Sequence, residues 1–248
     1  MANLTSLAGK RVLITGGAGG VGRAVAAQFL SHGARILITD RDGETLEQVA
    51  HGLRKVEPGG EVAWALADLS GPTGADALFA EVDESLGGLD ILVACAGVGA
   101  GPLMDVDDGE WRYAIESNLM SSIACTQRAV ARMRKSDSRD GIVILVGSIS
   151  VHIKAVGESV FNAAKGGIAS FAETLRKELM ADSIRVTLIE PGAICTAMQA
   201  SSPEQRAQVD GYRMLRPDAV ADAILFAATR GPGVDVATLR IEPLALQM

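Results

Sequence analysis

Short apolar runs alternate along this chain with longer segments in which apolar residues recur every three to four positions. The runs Val12-Leu13-Ile14, Arg35–Thr39, Glu61–Leu66, Asp90–Ala94, Ile142–Val146, Ile184–Ile189 and Ala237–Ile241 predict seven strands. Helical spacing predicts helices over 21–30, 43–55, about 73–86, 159–180 and 218–229, with one long helix over roughly 108–135. The strand cores are continuous and β-branched rather than alternating. That pattern suits a parallel sheet buried on both faces, so the expected fold class is α/β: a doubly wound parallel sheet of about seven strands with helices on both faces. Right-handed crossovers then bring the C-terminal ends of the strands to one rim, where Thr15, Asp40, Asp68, Gly97, Ser148 and Pro191 fall. No linker or repeat divides the chain, which predicts a single domain over 1–248. The weakly periodic stretch near 197–213 reads as a mobile substrate lid.

The first strand runs into Thr15-Gly16-Gly17-Ala18-Gly19-Gly20-Val21-Gly22, and a helical pattern follows at once. Glycines here let the chain reverse tightly and let backbone N–H groups approach a pyrophosphate. The helix start adds unsatisfied N–H groups and the positive end of a dipole. Asp40 ends the second strand, where a carboxylate can accept both hydroxyl protons of an adenosine ribose and repel a 2′-phosphate. That favours NAD over NADP, although the guanidinium of Arg41 next to it is a possible phosphate clamp.

Charge and composition narrow the partners. A formal net charge of −7 speaks against nucleic acid and anionic membranes. No apolar run approaches the ~20 residues of a membrane span, and the first residues lack a signal-peptide pattern. Cys95, Cys125 and Cys195 have neither CxxC spacing nor even pairing, so a reducing, cytoplasmic setting is expected. No His, Cys and carboxylate set has metal-ligand spacing, so no catalytic metal is expected.

From about Leu7 to Ile241 the chain resembles the short-chain dehydrogenase/reductase family, whose Rossmann-type fold agrees with the pattern above. Thr15-Gly16-x-x-x-Gly20-x-Gly22 is similar to the family's cofactor turn, with Val21 inside it. Asp68-Leu69 resembles its adenine-contacting pair, and Ala96-Gly97 the end of its Asn-Ala-Gly motif. Pro191-Gly192, Ile194 and Thr196 resemble the segment lining the nicotinamide. Asn118, Ser148 and Lys165 fall at the family's catalytic asparagine, serine and lysine. The resemblance implies hydride transfer between a nicotinamide cofactor and a secondary alcohol or ketone. Ser148 would then hold the substrate oxygen, Lys165 the nicotinamide ribose, and Asn118 a water. It also implies a homodimer or homotetramer, with the long helices pairing and Ala163, Ala164, Gly166, Gly167 and Ala169 permitting close approach. Those small residues equally suit packing against the sheet.

Two positions depart from the family. Its catalytic tyrosine lies four residues before the lysine and thirteen after the serine, and both counts land on Phe161. Phenylalanine keeps the ring and lacks the O–H that exchanges a proton with the substrate, so strongly impaired turnover is expected. Three readings stay open: a Tyr-to-Phe variant that holds ligands without turnover, a member with another donor (Ser148, His152, or a water on Lys165 or Asn118), or a catalytically silent dinucleotide-binding protein. The only tyrosines, Tyr113 and Tyr212, match no catalytic position, and Tyr113 is expected to pack on the long helix. Cys95 stands where the family has asparagine and reads as a small packing residue. Met198, Tyr212 and Met214 from the lid, with Val98–Leu103 opposite, suggest a medium-sized, partly apolar carbonyl substrate.

Overall fold

The computed structural model describes residues 4–136, 140–195, 207, 209–231 and 233–245. Its seven strands are β1 (Arg11–Thr15), β2 (Arg35–Asp40), β3 (Val62–Leu66), β4 (Ile91–Ala94), β5 (Ile142–Val146), β6 (Arg185–Pro191) and β7 (Thr238–Ile241). They form one sheet in the order β3-β2-β1-β4-β5-β6-β7, with every neighbouring pair parallel. The chain winds outward from β1 to β3, then restarts beside β1 with β4. That reversal opens a crevice at the C-terminal ends of β1 and β4, where a ligand can enter between diverging loops.

Helices cover both faces. On one side α1 (Gly20–Ser31), α2 (Gly43–Val56) and α8 (Pro217–Ala228) bury Phe29, Leu46 and Ile224 against Val12, Ile36 and Ile144. On the other, α3 (Gly74–Leu86), α5 (Ser121–Met133) and α7 (Ser159–Glu178) bury Phe79, Ala129 and Ile168 against Leu13, Leu92 and Leu145. Consecutive strand residues thus feed opposite cores, which is why the strands read as unbroken apolar runs. No helix of the described residues is long and apolar enough to cross a membrane. The lid expected near 197–213 falls largely outside the described residues.

The long helix expected over 108–135 is interrupted. α4 (Asp108–Ile115) passes into a π turn at Glu116–Met120 before α5 resumes at Ser121. Side chains take over backbone duties there. Asn118 Nδ2 donates to Ala114 O at 2.8 Å, Ser121 Oγ to Ser117 O at 2.7 Å, and Ser122 Oγ to Asn118 O at 2.7 Å. Hydroxyls bonding back to i−4 carbonyls bend helices, and π turns recur at functional sites. A four-residue helix, α6 (Ser150–Ile153), also follows β5.

One polar clamp fastens the opposite, N-terminal rim. The buried Asp90 carboxylate accepts from the Arg11 backbone N–H at 2.9 Å and from its guanidinium at 2.9 and 2.8 Å. Burial opposes ionisation, but these bonds outweigh it and hold the Asp90 carboxyl below its usual range. Asp90→Ala strands the Arg11 N–H and leaves the guanidinium only Gly87 O and the Ser136 hydroxyl. A loss of about 3 kcal/mol, or roughly 6–12 °C in Tm, is expected. Thermal melts at pH 7 check this. Because the folded-state pKa is depressed, the contribution is present above pH 3.8 and lost as pH falls further, so the difference between variant and parent should shrink in acid.

Candidate active site

The glycine turn closes the crevice through contacts that tolerate no side chain. Gly16 has φ +70, and a Cβ on it would lie 3.0 Å from the Ala96 backbone. A Cβ on Gly22 would lie 2.2 Å from Gly16 O, so the first turn of α1 sits directly on the loop. α1 begins after an extended Gly19, with no side-chain cap and no acidic residue in its first turn. Its N-terminal N–H groups are therefore open to an anion.

A cavity of about 390 Å³ runs from this turn along the rim. Gly16, Gly20, Asp40, Arg41, Asp68, Leu69, Ala96 and Gly97 all line it, as the sequence suggests. Val21 and Gly22 lie beside it in the first turn of α1. Asp40 holds its carboxylate toward the glycine turn, accepting from Ala18 N–H at 3.1 Å and from Arg41 N–H at 2.8 Å. The Asp68 carboxyl is held below its usual range, chiefly by the Ser70 hydroxyl and then the Ser70 N–H. Ala96 N–H donates to Thr15 Oγ1 at 3.1 Å, joining the ends of β1 and β4.

Past Gly97 the chemistry changes. A Cβ on Gly97 would lie 2.4 Å from Asn118 Oδ1 and 3.5 Å from Lys165 Nζ, so these three residues meet at one point. Asn118 is wholly buried, its Nδ2 also donates to Val98 O at 2.8 Å, and its Oδ1 has no hydrogen-bond partner. Lys165 is 6% exposed, and its Nζ donates to Val146 O at 2.9 Å. Burial lowers its pKa from 10.5 to about 8. The Phe161 ring centroid lies 5.6 Å from that ammonium. Ser148 follows Val146 by two residues, and its Oγ accepts from Ser150 N–H at 3.1 Å. Lysine, asparagine and an aromatic ring thus gather near the ends of β4 and β5, with Ser148 two residues past β5, and the ring carries no hydroxyl.

The remaining candidates sit around this end. Pro191 O accepts from Ile149 N–H at 3.1 Å and Gly192 N–H donates to Ile241 O at 2.7 Å, while Ile194 bridges to Leu215; none of the three lines the cavity. Thr196 lies outside the described residues. Burial pushes the Cys95 thiol up to about 12, in keeping with a packing residue. His152 Nε2 lies 3.1 Å from both oxygens of the buried Glu190 carboxylate, so that ring nitrogen is engaged. Among the described residues no group of three or more His, Cys, Asp or Glu is arranged to hold a metal.

Tyr113 departs from expectation. It lines the cavity from α4, one helical turn before Ser117, and its hydroxyl accepts a hydrogen bond from Arg41 Nη1. The i, i+4 spacing to Ser117 was the available signal, but an uninterrupted helix gave no reason to turn that face toward the crevice.

Comparison with known proteins gives the family. The profile described as short chain dehydrogenase matches residues 10–207. A D-xylose 1-dehydrogenase from Caulobacter vibrioides is 35% identical over 234 residues, 90% of this chain and 90% of that protein. The structure of L-sorbose reductase from Gluconobacter frateurii with NADPH and L-sorbose superposes with TM-score 0.86 at 26% identity, covering 98% of this chain and 100% of that one. A short chain dehydrogenase from Burkholderia cenocepacia in complex with NADP gives 0.84 at 27% identity, with 96% and 98% coverage. With a matching profile over most of its length and a matching sheet beneath it, this chain belongs to the short-chain dehydrogenase family of oxidoreductases that use a nicotinamide dinucleotide.

Proposed function

We propose that this chain moves a hydride between a nicotinamide dinucleotide, NAD ahead of NADP, and a secondary alcohol or ketone, and that Phe161 holds its turnover low. The observation carrying this reading is the meeting of Gly97, Asn118 and Lys165 at the end of a cavity that begins at an uncapped helix N-terminus. The residues fit such a cofactor, because the first turn of α1 is uncapped and free of acidic side chains beside the cavity, and the buried Asn118 Oδ1 has no partner. A bound nicotinamide supplies or accepts the hydride.

The chain's own groups do the rest. The first turn of α1 binds the pyrophosphate, and Asp40 presents a carboxylate to the adenosine ribose. Asp68, Leu69, Ala96 and Gly97 wall the cavity, and Pro191, Gly192 and Ile194 would flank the ring. Ser148 holds the substrate oxygen, Lys165 binds ribose hydroxyls and lends positive charge, and Asn118 Oδ1 is free to hold a water. No phenol stands between Lys165 and the substrate oxygen. The proton therefore travels through solvent or a weaker donor, which costs about 10²–10⁴ in rate. Relatives crystallised with NADP or NADPH make 2′-phosphate binding the direct rival for Asp40.

The same missing phenol favours a second reading, a dinucleotide-binding protein without turnover. Incubation with NADH or NADPH deuterated at the transferable position, and a ketone panel including L-sorbose, separates the two by mass spectrometry of the products. Slow label transfer, faster from NADH, is expected. Binding without transfer supports the silent protein, and no binding of either nucleotide at millimolar concentration overturns both.

Assembly and setting belong to the same proposal: one catalytic domain, cytoplasmic, as a homodimer or homotetramer. On α7, a Cβ at Gly166 would meet nothing within 4 Å and Ala163 is exposed, leaving a face for a second copy. Gly167 serves the fold instead, since its Cβ would lie 2.8 Å from Leu119 Cδ2.

A further inference from the structure

Two walls of the cavity are joined by a contact that none of the roles above requires. Arg41 follows β2 and Tyr113 belongs to α4, 72 residues later. The guanidinium donates to the Tyr113 hydroxyl and lies 5.0 Å from its ring centroid, so both ends of the tyrosine hold it. Asp40, one residue earlier, keeps its carboxylate on backbone N–H groups instead, those of Ala18 in the glycine turn and of Arg41 itself. Adjacent residues of opposite charge are thus drawn to different walls at the adenine end. The electrostatics agree: after the two bonds from Ser70, the Arg41 charge also helps hold the Asp68 carboxyl low.

We propose that Tyr113 is a positioning residue that sets the nucleotide preference, by tethering Arg41 away from the adenosine 2′ position and leaving Asp40 alone to face it. Resting on the dinucleotide reading above, this adds what keeps a phosphate-binding side chain from acting as one. A 2′-phosphate needs a guanidinium swung back beside Asp40 to offset its carboxylate. While Arg41 is bonded and stacked on Tyr113, that swing costs both contacts. The ribose diol of NAD needs no such movement.

The test is binding of NADH and NADPH, by fluorescence or calorimetry, to the parent, Tyr113→Phe, Arg41→Ala and the double variant. Tyr113→Phe keeps the ring and removes only the hydroxyl, so the fold is preserved. It should tighten NADPH about tenfold, the worth of one hydrogen bond to a charged group, while NADH moves less than about threefold. With Arg41→Ala in place, Tyr113→Phe should leave the NADPH-to-NADH ratio unchanged. A ratio unmoved by Tyr113→Phe alone, or moved equally in both backgrounds, overturns the tether. Failure of the parent to bind either nucleotide overturns the dinucleotide reading and the tether with it, an outcome distinct from NADH binding with an unmoved ratio.

Discussion

Phe161→Tyr should raise kcat for ketone reduction by about 10²–10⁴-fold, with little change in nucleotide affinity. The ring already lies 5.6 Å from Lys165 Nζ, so a hydroxyl on it would be placed beside a buried positive charge. An ammonium in that position favours the phenolate and brings its pKa toward the working pH. The gain belongs in kcat, because the phenol acts on the substrate oxygen as charge develops and adds little to ground-state binding. Steady-state rates of both proteins on the same ketone panel measure it. An unchanged kcat in a protein that already turns over would show that another group donates the proton, and Ser148 would be the next residue to replace.

Lys165→Met should do the reverse to function while stabilising the fold. The buried ammonium is held by one carbonyl, Val146 O, and its pKa falls from 10.5 to about 8. A depressed pKa means that protonation at neutral pH works against the folded state. The penalty is full below about pH 8, fades between 8 and 10.5, and is absent above 10.5. Methionine fills a similar volume without the charge. A gain of about 2–3 kcal/mol, near 5–10 °C in Tm, is expected at pH 7 and should vanish by about pH 10.5. In a Phe161→Tyr background the same change should remove most of the restored turnover. Melts across pH 7–10.5 and kcat in that background check the two halves. A lysine kept at a cost to stability fits a group retained for chemistry.

Much of this could be read from the residues. The parallel sheet followed from apolar runs without alternation, and each run lies in a strand within a residue or two. The rim residues followed from topology, since Thr15, Asp40 and Pro191 are terminal residues of strands. The π turn was not legible. No proline or glycine marks Glu116–Met120, and its cause is a set of side-chain bonds from Asn118, Ser121 and Ser122 that depend on Val98 and the crevice nearby. The role of Tyr113 was hidden for the same reason, because its face is set by tertiary contact rather than periodicity. His152 on α6 is one more case, as its partner Glu190 is 38 residues away on β6.

Asp40 accepts from the N–H of Ala18 in the glycine turn and from those of Arg41 and Asp42 beyond the strand. The group that discriminates between nucleotides is therefore also a strut of the phosphate loop. Exchanging it for a neutral residue would admit a bulkier anion and slacken the loop meant to grip its diphosphate in the same stroke. Selectivity in this protein is better retuned from the side chains of Tyr113 and Arg41, since Arg41 meets Asp40 through its backbone N–H, which a side-chain substitution keeps.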